Sequence, residues 1–289
     1  MFYVVSLLVG ALISVMVAIN GKLTAAAGRP LALVLIHLVA FFVMALVMAF
    51  KKEKPSAKGL RPWQLSAGLI GLLTTTFNNL AFGRISVSAI MALALLGESI
   101  SGLLADHFGL LGLPVRKMQK GKLLGAPIMA LGILVMLDSF DTLAVIVSLL
   151  AGFTILFSRL LNGQVTRQTS VYNATFINYG VGFVGAVALF FMEGGQYQPF
   201  PGPVTLYLGG LIGVVAVLAT SAMIGRIASF YMTLALFVGQ VAASVLLDVA
   251  LSGVFSLKVL LGGVCVLLGL ILALIIDRRA ETKNLGVPG

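Results

Sequence analysis

The sequence predicts an all-α integral membrane protein of ten transmembrane helices, built as two inverted five-helix repeats. Three observations carry that reading. Of 289 residues, 60% are hydrophobic and 10% charged, where a soluble domain has about 25% charged residues. Apolar runs of about 20 residues recur from end to end, each enough to cross roughly 30 Å of hydrocarbon at about 1.5 Å per residue. Finally, the chain matches itself at an offset of 142 residues.

That self-match is carried by punctuating residues. Gly10 falls on Gly152, and Asn20-Gly21 with Thr24 on Asn162-Gly163 with Thr166. Gly68 and Gly71 fall on Gly210 and Gly213, Gly83-Arg84-Ile85 on Gly225-Arg226-Ile227, Gly97 on Gly239 and Asp106 on Asp248. The register then drops by five residues, and Gly125 and Gly132 meet Gly262 and Gly269. Residues 1–141 are thus read as one repeat, and 142–289 as a second with a short, frayed polar tail. Helices are expected over 2–23, 31–50, 63–82, 86–106 and 121–138, then 142–162, 171–192, 203–223, 227–248 and 258–276. Five per repeat is odd, so the second repeat enters the membrane from the opposite side. The first helix lacks a basic leader before it and is the repeat partner of 143–165, so it is read as a mature span rather than a signal peptide.

Net charge is +10. The 19 basic residues sit almost entirely between apolar runs or at their ends rather than along one face, so they point to orientation and not to nucleic acid. With a cytoplasmic N-terminus, 15 fall on the cytoplasmic side, counting Arg159 and Arg167, and four outside, at Lys22, Arg29, Arg84 and Lys258. Both termini are therefore expected in the cytoplasm.

Glu98 is the one acid deep within a predicted span. A charge near the midplane costs several kcal/mol, or the group stays protonated, so such residues usually line a cavity. Its helix neighbours Ala94, Leu95, Ser101 and Gly102 are mostly small, and its repeat partner Gln240 keeps the hydrogen-bonding shape without the charge. The reading is a proton-coupling or cation-binding carboxylate, with a carboxylic acid bridging two helices as the plain alternative. His37 and Tyr179 are repeat partners with polar tips at matching depth, suited to proton relay or to an interhelical hydrogen bond. Asn20 and Asn162 close equivalent helices. Thr74, Thr75, Thr76, Asn78 and Asn79 run through the third helix, and Asn173, Asn178, Thr220, Ser221 and Thr233 serve the second half. Amides facing lipid are expensive, so most should point inward. Asp106 and Asp248 end equivalent helices in the polar interface and are read as structural.

Other signals are bland. Gly180, Gly182 and Gly185 spell the dinucleotide fingerprint inside a span, where the strand and turn it needs are missing. Glycines there, and at Gly209/Gly213 and Gly121/Gly125, let helices approach closely. The single cysteine, Cys265, lies in an apolar run. Two histidines assemble neither a metal cluster nor a catalytic triad, so no cofactor, metal or enzymatic activity is expected.

The stretch Ala18-Ile19-Asn20-Gly21-Lys22-Leu23, with Gly28 and Pro30, resembles the YdcZ-type branch of the drug/metabolite transporter (DMT) superfamily. So does Gly97-Glu98-Ser99, running on through Asp106-His107-Phe108-Gly109 to Gly112. Weaker copies stand at Leu161-Asn162-Gly163-Gln164 and from Gly239-Gln240 to Asp248. The resemblance implies a fused two-repeat, EamA-like transporter in a bacterial cytoplasmic (inner) membrane, with drugs, metabolites and organic cations among the superfamily's cargoes. It also marks two departures. The family commonly has glutamine at the position of Glu98, and the related small multidrug exporters carry a glutamate in their first helix, where this chain has no acid. The function expected is secondary-active transport of a small organic solute, with proton-coupled export by alternating access. The partners are then the solute, the lipid bilayer and a coupling proton. An uncoupled facilitator or channel-like conduit is the alternative, ahead of an integral-membrane enzyme or an assembly partner.

Overall fold

The computed structural model describes residues 2–112, 115, 124–137, 140–197, 199, 201–223, 229–253 and 255–284. Among them are ten α-helices: α1 (Phe2–Ala27), α2 (Arg29–Lys51), α3 (Ala67–Ala81), α4 (Val87–Phe108), α5 (Gly125–Met136), α6 (Thr142–Gln168), α7 (Val171–Met192), α8 (Leu208–Met223), α9 (Ser229–Ser252) and α10 (Leu257–Asn284). Seven spans are long and apolar enough to cross a bilayer, while Gly125–Met136 and Leu257–Ala273 are shorter apolar helices. α3 has only 15 residues, preceded by a five-residue 3-10 turn at Pro62–Ser66. At about 1.5 and 2.0 Å per residue the two together reach roughly 32 Å, enough for the hydrocarbon core.

The helices run longer than hydropathy suggests at several ends. α6 continues to Gln168 and α10 through 284, so most of the polar tail expected to fray is helical. Backbone hydrogen bonding carries both past the point where apolar character stops. Thr233 and the basic residues Arg116, Lys117, Lys120, Lys122, Arg226, Arg278, Arg279 and Lys283 lie outside the described side chains, as do Gly121 and Gly225.

The packing interleaves the two halves of the sequence. α1 packs on α9 and α6 on α4; α3 packs on α6 and α8 on α1; α3 meets α7 and α8 meets α2. Each pair becomes the other under the 142-residue correspondence, while α2·α7, α4·α9 and α5·α10 map onto themselves. This is two-fold exchange. α4 begins where its counterpart α9 ends, because the Asp248 carboxylate accepts the backbone N–H groups of Val87 at 2.7 Å and Ser88 at 2.9 Å. The counterparts therefore run in opposite directions, as inverted repeats do. Asp248 thereby satisfies two of the orphan donors at the α4 N-terminus, with Ser86 accepting from Ala89 N at 3.2 Å.

Glycine sets how close the helices come. A Cβ on Gly10 would overlap the Leu236 carbonyl oxygen, and one on Gly152 the Ala94 carbonyl oxygen, its repeat image. Gly97 meets the Leu149 carbonyl and Gly239 that of Leu7 in the same way; Gly68 and Gly210 do so against Asn178 and Ile36. Gly125 meets the Gly269 carbonyl and Gly262 that of Gly132, so the five-residue change of register preserves the pairing. With no hydrophobic drive between helices in lipid, such approach supplies the dispersion contact that holds the bundle. α4 lies deepest, since every residue from Val87 to Gly97 is buried. Apolar side chains such as Leu8, Phe42, Leu134, Val184, Leu246 and Leu261 cover the outside.

One α4 comparison tests this packing. Gly97→Ala must displace the α6 backbone and is expected to cost about 1–3 kcal/mol. Gly102→Ala meets nothing within 4 Å, so helix propensity makes it neutral or stabilising by up to about 1 kcal/mol. Thermal unfolding of the two purified variants should show a lower midpoint for the first only.

Candidate functional site

A cavity of about 240 Å³ lies between the halves, lined by α1–α4 and α6–α9. Its space comes from small residues where helices would otherwise fill it: Gly71, Ala94, Gly163, Gly213 and Ala216. Eight of the polar residues singled out in the sequence line it, Glu98, Gln240, Asn20, Asn162, His37, Tyr179, Asn78 and Asn178, whereas Thr76, Asn79 and Asn173 do not. Thr74, Thr75, Thr220 and Ser221 line it too.

Four of the hydroxyls that line the cavity are bonded within the protein. Thr74 Oγ1 donates to Thr154 Oγ1 at 2.8 Å and lies 3.1 Å from the Ile70 carbonyl. Thr75 donates to Gly71 O at 3.2 Å, Thr220 to Ala216 O at 2.8 Å and Ser158 to Ala67 O at 2.9 Å. The amides behave differently. The side-chain oxygens of Asn20, Asn78, Asn162 and Asn178 are buried without a hydrogen-bond partner. Three of these residues are at most 8% exposed. Buried polar groups are normally paired, and leaving one unpaired costs about 1–3 kcal/mol. Four residues around one cavity, on α1, α3, α6 and α7, each carry such an unpaired acceptor.

His37 and Tyr179 come together across the α2–α7 contact, with ring centroids 6.4 Å apart and planes tilted by 59°. His37 Nδ1 lies 2.9 Å from the Leu33 carbonyl. A carbonyl only accepts, so Nδ1 carries a hydrogen and the neutral ring keeps Nε2 as an acceptor. Gln240 is held through its main chain, whose oxygen accepts from Ser14 Oγ at 2.9 Å.

Glu98 is not alone. Arg159 of α6 donates to its carboxylate, forming an ion pair in which the Glu98 side chain is 12% exposed and that of Arg159 39%. Sequence alone counts Arg159 among the cytoplasmic-side charges, near the end of the 142–162 span; α6 in fact runs on to Gln168, and Arg159 stands on the cavity wall. Its repeat partner is Val17, which also lines the cavity. A signal was therefore present in the self-match. Glu98 over Gln240 and Arg159 over Val17 are two charges of opposite sign, one in each repeat, that meet across the α4–α6 contact.

Other polar residues brace the frame. Asn173 Nδ2 donates to Ser56 O at 2.7 Å and its Oδ1 accepts from Ser56 N at 3.0 Å, pinning the loop after α2. Arg29 pairs with Glu193 at 2.7 Å. Asp141 caps α6; the N–H of Ala144 and, after it, the Arg84 guanidinium hold its carboxyl below the ordinary value despite some desolvation. That stabilisation is present above the unfolded value and is lost as pH falls through the lowered one.

Removing one member of an ion pair leaves the other uncompensated. For a fully buried pair that costs about 3–5 kcal/mol, and the partial exposure of Arg159 reduces it here to about 1–3 kcal/mol. Arg159→Gln is expected to lower the unfolding midpoint more than the Arg159→Gln, Glu98→Gln double variant does. Strictly additive losses would mean that the two groups are uncoupled.

Comparison with known proteins agrees with this architecture. A solved structure described only as "Crystal structure of protein" shares the fold, with a TM-score of 0.63 and 16% identity, covering 95% of this chain and 99% of that one. At that identity the likeness is one of fold alone. No curated protein matches the sequence. Residues 1–135 and 143–272 each match the family model described as "Putative inner membrane exporter, YdcZ", so the chain belongs to that family of multi-pass inner-membrane proteins.

Proposed function

We propose that this protein exports a small organic solute by alternating access between its two halves, exchanging it for protons, with the central cavity as the binding site. The observation that carries the reading is the cavity itself, in which four amide oxygens lack partners beside the Glu98–Arg159 pair. Intramembrane ionisable groups facing a cavity characteristically serve substrate or proton pathways. Glu98 is the coupling group in this reading: protonation would release Arg159 and change the hydrogen bonds between α4 and α6. Gln240 is a fixed polar contact on the opposite wall. Division of labour between residues 1–141 and 142–289 follows, each half moving against the other about the site. The termini lie in the cytoplasm, by the excess of loop Lys and Arg.

The same ion pair favours a second reading, in which Glu98 is a permanent bridge between α4 and α6 and the solute passes without ion coupling. Thermal unfolding against metabolites, organic cations and drugs separates the two when wild type and Glu98→Gln are compared at pH 6 and pH 8. A ligand at 100 times its Kd stabilises the folded state by about 2.7 kcal/mol. For the coupled transporter, the shift depends on pH in wild type and loses that dependence in Glu98→Gln. A ligand whose shift ignores both pH and the substitution would make uncoupled passage the function.

A further inference from the structure

We infer that the cargo is a small zwitterion, carrying a carboxylate and an ammonium with N–H groups, rather than an organic cation. The inference rests on the central cavity being the transport site.

Charge balance carries it. Glu98 and Arg159 are the two ion-paired residues of opposite charge on the described cavity wall, and as a pair they neutralise one another. The remaining titratable side chains on that wall are His37, whose Nδ1 hydrogen is engaged by Leu33, and Tyr179. A monocation bound to Glu98 would strand the Arg159 guanidinium in the same cavity, adding a second positive charge beside the first. A monoanion on Arg159 would strand Glu98 likewise. An unpaired charge on this wall is penalised according to its burial, most of all on Glu98, whose side chain is 12% exposed. A solute with both charges replaces each partner with an equivalent one: its ammonium takes Glu98, its carboxylate takes the Arg159 fork, and the total charge is unchanged.

The rest of the wall narrows the class. The unpartnered oxygens of Asn20, Asn78, Asn162 and Asn178 accept hydrogen bonds. A primary ammonium offers three N–H donors, one for Glu98 and the others for these oxygens, whereas a trimethylammonium offers none. Volume narrows it further, because about 240 Å³ lies below the roughly 300–1,000 Å³ of drug sites. A cavity of that volume suits a small metabolite rather than a drug-sized solute. The apolar wall around Met91, Leu95 and Leu236 would take a short aliphatic side chain. Ammonium and proton would then compete for the Glu98 carboxylate, giving a physical basis for exchanging one for the other.

The test uses the full-length protein in detergent, with thermal unfolding as readout. Probes are glycine, alanine, valine, leucine and methionine, the amine and the acid matching each one, and its N-trimethyl derivative. At least one amino acid should bind ten times or more tightly than its three relatives. Arg159→Gln and Glu98→Gln should each weaken it tenfold or more, Arg159→Lys should keep part of the binding, and Gly163→Leu should block it. Gly163 is the safe place to add bulk, since a Cβ there meets nothing within 4 Å. Equal binding of an amine, an acid or a trimethyl derivative overturns the inference, as does binding that survives Arg159→Gln. If every probe is silent while an organic cation or neutral solute binds and is lost in Gly163→Leu, the zwitterion fails and the cavity stands. If no solute responds to Gly163→Leu, both fall.

Discussion

Backbone-to-backbone approach at the glycine crossings is the constraint on which the rest of this structure depends. Helices in hydrocarbon gain nothing by hiding apolar side chains from lipid, so the bundle is held by close contact and by the few polar bonds it can satisfy. The crossings at Gly10, Gly97, Gly152 and Gly239 all join a helix of one half to a helix of the other. So do those at Gly68, Gly210, Gly125 and Gly262. This makes the halves mutually dependent. It also draws the backbones tight around α4 while leaving room where Gly71, Gly163 and Gly213 lack side chains, so residues of one type build both the seam and the cavity.

Around that seam, the polar groups divide by what they touch. Several threonine hydroxyls donate to the carbonyl of the preceding turn, as at Thr75, Thr76, Thr166 and Thr220, and ask nothing of the cavity. An asparagine oxygen only accepts, and in mid-helix every backbone N–H is already bonded, so it stays unpaired wherever a neighbouring helix offers no donor. The cost of those oxygens is borne by the same tight packing. Electrically the cavity is asymmetric although its backbone is nearly symmetric. One wall has Glu98 and Arg159, and the equivalent positions opposite have Gln240 and Val17. An inverted repeat supplies two equivalent walls, and this chain has made one of them charged.

Much of the frame was legible because hydrocarbon imposes simple rules. Apolar run length gave the α7 bounds, and repeat pairing gave the glycine partners that meet the backbone. The inward orientation of Asn20, Asn78, Asn162 and Asn178 followed from the expense of exposing an amide to lipid. Helix ends were less legible, since α6 and α10 run on by hydrogen bonding beyond the point where hydropathy falls. Arg159 was missed for that reason: placed near an assumed helix end, it read as an orientation charge, although the apolar Val17 at its repeat position argued otherwise.

Sequence by itself determined the element count, the inverted repetition and the identity of the polar residues able to face a cavity, because each depends on composition, period or cost in lipid. Tertiary structure alone decided which of those residues meet. It joined His37 to Tyr179 across the two-fold, sent Asn173 to a loop instead of the cavity, and placed Asp248 on the α4 N-terminus. It also gave Glu98 a guanidinium partner from 61 residues away. Such pairings depend on the crossing angles and close approaches of several helices at once, and no local pattern encodes them.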